Sequence, residues 1–182
     1  YIEDTDYKVS TGVLSLDIEI GGGIVPGVHR AVGATSGGKT SETLLIMKNF
    51  LETIPKARGL LVKAEGRLDY EMQTRAGIEF VKDAALWKDG NCFLFESNVF
   101  ETVIGLLRAL VKDNPEKKKY CFIIDSVDAL IPKGDVDRPF EEADKVAGGA
   151  LLSSKFLQKM TLALTKMGHI CFLIGQVRSE IK

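Results

Sequence analysis

Apolar and polar residues fall into five short apolar runs, separated by stretches in which apolar positions recur every three or four residues. The runs are Val28–Val32, Gly59–Ala64, Cys92–Phe95, Tyr120–Asp125 and Ile170–Gly175, each bounded by turn or helix signals, and they predict strands. The stretches between them predict helices. Lys39–Ile54 has apolar residues at 44, 47, 51 and 54 and stops before Pro55. Asp69–Ala76 ends at Gly77, a C-cap residue. Asn98–Lys112 is apolar at 99, 103, 106, 107, 110 and 111, with Asn98 as N-cap. Asp144–Met167 sets Leu152, Phe156, Met160 and Leu164 on one stripe and stops at Gly168.

Strands alternating with helices predict an α/β fold: a mostly parallel sheet with right-handed crossovers and helices on both faces. Ligands of such sheets sit at the carboxyl ends of the strands. Polar or glycine-rich segments follow the first, fourth and fifth strands there: Gly33–Thr40, Asp125–Asp128 and Gly175–Arg178. Asp113–Lys119 and Pro132–Glu142, charged and proline-containing, read as exposed loops.

At 182 residues the chain has the size of one domain with a substantial core. No apolar run approaches the roughly 20 residues that span a bilayer, so a cytoplasmic protein without a membrane partner is expected. The net charge of −1 gives no overall basic field, although a local groove can still be basic. Cys92, Cys121 and Cys171 are odd in number, widely spaced and each beside a strand run. They read as buried thiols in a reducing compartment, not as a disulfide framework or zinc site. His29 and His169 precede apolar runs without a partner at ligand spacing and read as structural. The chain opens on Tyr1 and its last residues run out of a strand, so both ends are expected to be cut from a longer chain.

Gly33-Ala34-Thr35-Ser36-Gly37-Gly38-Lys39-Thr40 fits G-x-x-x-x-G-K-[ST] without a mismatch. Glycines let successive N–H groups curl inward around phosphate oxygens, and the following helix adds the positive end of its dipole. Lys39 would reach the β- and γ-phosphates and the Thr40 hydroxyl would ligate Mg2+, with Ser41 beside it. The flanks suit the motif, an apolar strand before it and an amphipathic helix after it. A nucleotide-binding phosphate loop is therefore expected, with ATP and Mg2+ as its ligands. Asp125, ending an apolar strand, would hold the metal directly or through water; otherwise it is a turn or capping aspartate. Glu65 ends the second strand, either as the carboxylate that orients an attacking water or as a surface salt-bridge residue. Gln176 ends the fifth, either as a γ-phosphate sensor or as an ordinary polar strand end.

Four blocks in this order resemble the RecA-type recombinases, over about residues 10–182. Ser10-Thr11-Gly12-Val13-Leu14-Ser15-Leu16-Asp17 is similar to the segment just upstream of that family's phosphate loop. Ala64-Glu65-Gly66-Arg67-Leu68-Asp69 resembles the block with its catalytic glutamate. Ile124 to Lys133 resembles the metal-binding strand and the entry to the first DNA loop, and Gly175-Gln176-Val177-Arg178 the start of the second.

The resemblance implies a RecA-like ATPase core over residues 1–182, with 1–12 as lead-in and the core continuing past 182. It makes Glu65 the water-activating base and Gln176 the link between nucleotide state and DNA loop, both catalytic alongside Lys39. It adds Asp69 to the nucleotide contacts. It also implies single-stranded DNA as partner, self-association into a filament or ring, and Lys133, Arg138 and Arg178 as DNA-contacting positions. The family's adenine-stacking tyrosine aligns with Met72, with Tyr70 nearby, and Lys63 stands where the family often has an acidic or apolar residue. The 132–144 loop is net acidic, so it reads equally as a solvated charged loop. The same residues would suit a RecA-fold motor or clock-type regulator, or a non-hydrolysing nucleotide switch or scaffold.

Overall fold

The computed structural model describes residues 5–33, 38–136 and 148–176. Its centre is one six-stranded sheet in the order β1-β6-β5-β2-β4-β3, every neighbouring pair parallel. The strands are β1 (Gly27–Gly33), β2 (Ala57–Lys63), β3 (Phe80–Val81), β4 (Cys92–Glu96), β5 (Lys119–Asp125) and β6 (Ile170–Gln176). The α/β class holds, and the sheet is wholly parallel. The sixth strand is the one missing from the five expected. β3 is a two-residue edge segment, too short to produce a hydrophobic period.

The helices are α1 (Leu14–Glu19), α2 (Lys39–Thr53), α3 (Tyr70–Ala76), α4 (Phe100–Lys112), α5 (Lys133–Val136) and α6 (Gly148–Met167). Short 3-10 turns lie at Ala84–Leu86 and Val127–Ala129. Two expectations need correction. Asn98 is not the cap of α4: Val99 occupies that position without a side-chain cap, and the Asn98 carbonyl instead accepts the Ile131 N–H at 2.8 Å. The stretch read as a loop after Pro132 begins with the one-turn helix α5. α1, also unforeseen, buries none of its residues, so it leaves no amphipathic signal. Asp17 anchors it by accepting hydrogen bonds from Ser10 Oγ, Thr11 N and Thr11 Oγ1 at 2.6, 2.8 and 2.7 Å. The start of the expected Asp144–Met167 helix lies outside the described residues, and Gly77 caps α3 with φ of 64° as expected.

Strand residues alternate between the two faces of the sheet. On one face Leu60, Val62, Tyr120, Phe122, Ile124 and Leu173 pack under α4 and α6. On the other, Leu61, Cys121, Ile123, Phe172 and Ile174 pack under α2. Burial on both sides explains why β2, β5 and β6 read as near-continuous apolar runs. Among the described residues, no helix is long and apolar enough to cross a membrane.

All three cysteines are free and fully buried, and burial raises their thiol pKa values, which keeps the sulfurs protonated. His29 Nε2 lies 2.8 Å from the Val25 carbonyl and its ring packs on Phe172. Both observations agree with structural roles for these residues.

Candidate functional site

Because all strands point one way, their carboxyl ends share one edge. Register then decides which side chains meet. Gly33 pairs with Gln176 across β1 and β6, and Lys63 with Asp125 across β2 and β5. The order β1-β6-β5-β2 sets these ends side by side, with the start of α2 on the same face as Asp125.

The phosphate-loop residues Ala34, Thr35, Ser36 and Gly37 lie outside the described residues. On either side of them, Gly33 closes β1 and Gly38 caps α2 at φ 77°. Nothing lies within 4 Å of a Cβ built on Gly38, so its left-handed backbone is what favours glycine there. α2 begins without a side-chain cap, which leaves its first N–H groups to other acceptors. Lys39 Nζ donates to the Gly33 carbonyl at 2.9 Å, bridging the two ends of the loop. Ser41 is exposed in the first turn of α2.

Thr40 Oγ1 donates to Asp125 Oδ2 at 3.1 Å, a contact between residues 85 positions apart. Asp125 is 6% exposed, which explains why its carboxylate needs partners. Lys63 Nζ supplies another at 2.7 Å on the same oxygen. Beside this group, Glu65 Oε1 accepts from Ser126 Oγ at 3.1 Å and from Gln176 Nε2 at 3.1 Å. Gln176 N donates to Asp128 Oδ2 at 2.8 Å. Lys39, Thr40, Asp125, Glu65 and Gln176, read separately along the sequence, thus converge. Glu65 is exposed, and among the described residues it makes no ion pair.

A hydroxyl and a carboxylate 3.1 Å apart form an oxygen donor set of the kind a hard divalent cation takes. Among the described residues, no cluster of three or more His, Cys, Asp or Glu could hold a metal. A cation at Thr40 and Asp125 would therefore depend on ligand oxygens, as Mg2+ does when it arrives with phosphates. The residues present fit a magnesium–nucleotide pair.

Other expected residues sit elsewhere. Asp69 Oδ1 accepts the Met72 N–H at 2.7 Å and caps α3, and no hydrogen bond among the described residues ties it to Asp125. Met72 packs against the core, whereas Tyr70 is 84% exposed. Lys133 is exposed, and its backbone N–H donates to Glu101 Oε2 at 2.7 Å. Arg138 and Arg178 lie outside the described residues. Ser126, Asp128 and the role of Lys63 escaped sequence reasoning. The first two directly follow the strand that carries Asp125, and polar residues at that edge were the available signal.

Residues 3–182 match the family described as the RecA N-terminal domain. The chain is 30% identical to Protein RecA of Bordetella avium over 185 residues, which cover 99% of this chain and 47% of that protein. It is 28% identical to Protein RecA of Synechococcus elongatus over 176 residues, covering 95% and 45%. A similar match, 28% over 177 residues, joins it to Protein RecA of Cytophaga hutchinsonii. The chain spans about half the length of the curated relatives it matches. With the whole of β1 to β6 and the convergent strand ends inside the matched residues, the chain belongs to the RecA family.

Proposed function

We propose that this chain is the nucleotide-binding core of an ATP-driven DNA recombination or repair protein that assembles on single-stranded DNA. The observation that carries the reading is the hydrogen bond from Gln176 to Glu65 at 3.1 Å. It joins the carboxylate suited to activating water to the strand end from which the second DNA-contacting segment departs.

In this reading residues 33–40 cradle the phosphates of ATP, and Lys39 leaves the Gly33 carbonyl to meet the β- and γ-phosphate oxygens. Thr40 and Asp125 would hold Mg2+, which when bound offsets charge on the transferring phosphoryl group. Glu65 orients a water and takes its proton as the water oxygen bonds the γ-phosphorus. The bond to the β–γ bridging oxygen breaks, leaving ADP and phosphate. Ser126 and Gln176 hold Glu65 through its Oε1, so Gln176 reports the state of the γ-phosphate site to the residues after it. Tyr70, the exposed first residue of α3, offers a face on which adenine can stack. Lys133, Arg138 and Arg178 would meet DNA phosphates in the assembled filament or ring.

The test is the ATPase rate of the intact protein with and without single-stranded DNA at two salt concentrations. The expected result is a strong stimulation by DNA that fades with salt. A rate indifferent to DNA would assign the chain to a RecA-fold motor or regulator, and nucleotide binding without turnover to a switch.

A further inference from the structure

Lys63 is the one cation that the fold sets directly on Asp125 among the described ion pairs. The pair is nearly dry, the two side chains being 10% and 9% exposed. It is also held in place by the backbone, because Lys63 and Asp125 are register partners and the Ala64 N–H donates to the Asp125 carbonyl at 2.8 Å. The ammonium shares Oδ2 with the Thr40 hydroxyl. That oxygen belongs to the carboxylate which, in the proposed function, would serve the magnesium ion. Two positive charges cannot both sit on one carboxylate oxygen in a water-poor site without strong repulsion.

β2 lies between β5 and β4, and Lys63 has a second register partner on the other side, Glu96. Glu96 is exposed, and its carboxylate is loosely paired with Lys82 at 3.3 Å. In a parallel sheet such register partners share a face, so Asp125, Lys63 and Glu96 form a row across three strands. A lysine, with a flexible stem and a point charge, suits movement along such a row better than arginine does.

We propose that Lys63 is a positioning residue that sets the divalent-cation requirement of the site. Its ammonium neutralises Asp125 in the nucleotide-free chain. It must give up Oδ2, with Glu96 placed to receive it, before that carboxylate can serve a magnesium ion. Magnesium alone then competes poorly for Asp125, and the phosphates of the nucleotide supply the remaining attraction. This inference rests on the ATP-binding reading above.

The experiment is a magnesium titration of the binding of a fluorescent ADP analogue to the intact protein, wild type against Lys63→Met. The half-saturating magnesium concentration is expected to fall about tenfold or more in the variant, the scale of coupling between close charges. Affinity at saturating magnesium should stay within about threefold, the cost of a contact worth under about 1 kcal/mol. Lys63→Arg, which keeps a cation on Asp125 but moves it less readily, should need at least as much magnesium as wild type. An unchanged magnesium requirement in Lys63→Met would overturn the proposal. So would weaker binding at saturating magnesium, which would make Lys63 a phosphate contact. If Lys63→Met does not fold, Lys63→Gln carries the same comparison with the same two outcomes. Failure of wild type and variant alike to bind the nucleotide would sink the ATP-binding reading itself, and this inference with it. Binding by both with identical magnesium curves would sink this inference alone.

Discussion

The two ends of the sheet treat polar groups in opposite ways. At the carboxyl edge, Asp125 stays an acceptor for Lys63 and Thr40, and Glu65 for Ser126 and Gln176. At the amino edge, His169 is fully buried, its Nδ1 accepts the Tyr120 N–H at 3.0 Å, and its Nε2 has no partner among the described residues. Burial, and then the nearby Lys119 ammonium, push its pKa down to about 4. The first arrangement gives each carboxylate two donors at the ends of the strands. The second sets a neutral ring against Tyr120 and Phe122 and contributes packing. Polar burial alone therefore does not mark a site; carboxylates with shared donors at the carboxyl ends of the strands are the stronger sign. The amino edge is also where lysines gather: Lys56, Lys112, Lys117, Lys118, Lys119 and Lys166 line one cleft there.

The largest effect expected from breaking the carboxyl-edge arrangement comes from Lys39→Ala. It should abolish nucleotide binding or turnover, read by calorimetry and phosphate release. Normal turnover in that variant would remove the phosphate-loop assignment. Glu65→Gln comes next: ATP should remain bound while hydrolysis slows by at least about 10²-fold, the scale of general-base losses. Single-turnover rates check this, and an unchanged rate returns Glu65 to a structural role.

The amino edge should answer to pH instead. Because the folded pKa of His169 lies below the ordinary 6.5, the unfolded chain binds the proton more readily. The stability associated with the neutral ring is whole above pH 6.5 and is lost as the pH falls toward 4. Between pH 7 and pH 5 that loss is about 2 kcal/mol for a shift of this size. His169→Asn, which keeps an acceptor for the Tyr120 N–H, should flatten the pH dependence of the denaturation midpoint over that range. Equal slopes in the two proteins would show that His169 is not the proton-linked group. The smallest effect belongs to Asp89, which pairs at the same edge with Arg58 at 2.8 Å and Lys118 at 2.9 Å and is 41% exposed. Asp89→Ala should cost no more than about 1 kcal/mol, and less in high salt, in urea titrations.

Much of this was legible in the sequence. The apolar runs located β1, β2, β4, β5 and β6, most plainly β2, β5 and β6, which are buried on both faces and so must be largely apolar. Gly77 announced the end of α3 because a left-handed cap tolerates few other residues. β3 and α1 escaped because neither buries a repeating face, and Asn98 misled because its capping chemistry is put to another use. Lys63 could be seen as out of place but not explained, since its explanation sits 62 residues away.

What the sequence determined by itself was local: which segments pair with themselves as helices, which are apolar enough to be interior strands, and which residues have the chemistry of phosphate and metal binding. Those properties follow from near neighbours and from side-chain type. Only the tertiary structure decided that β6 and β5 lie between β1 and β2, and so that Gln176 reaches Glu65 and Lys63 reaches Asp125. Strand order and register come from how the helices cover the two faces of the sheet, a packing problem solved by the whole chain at once.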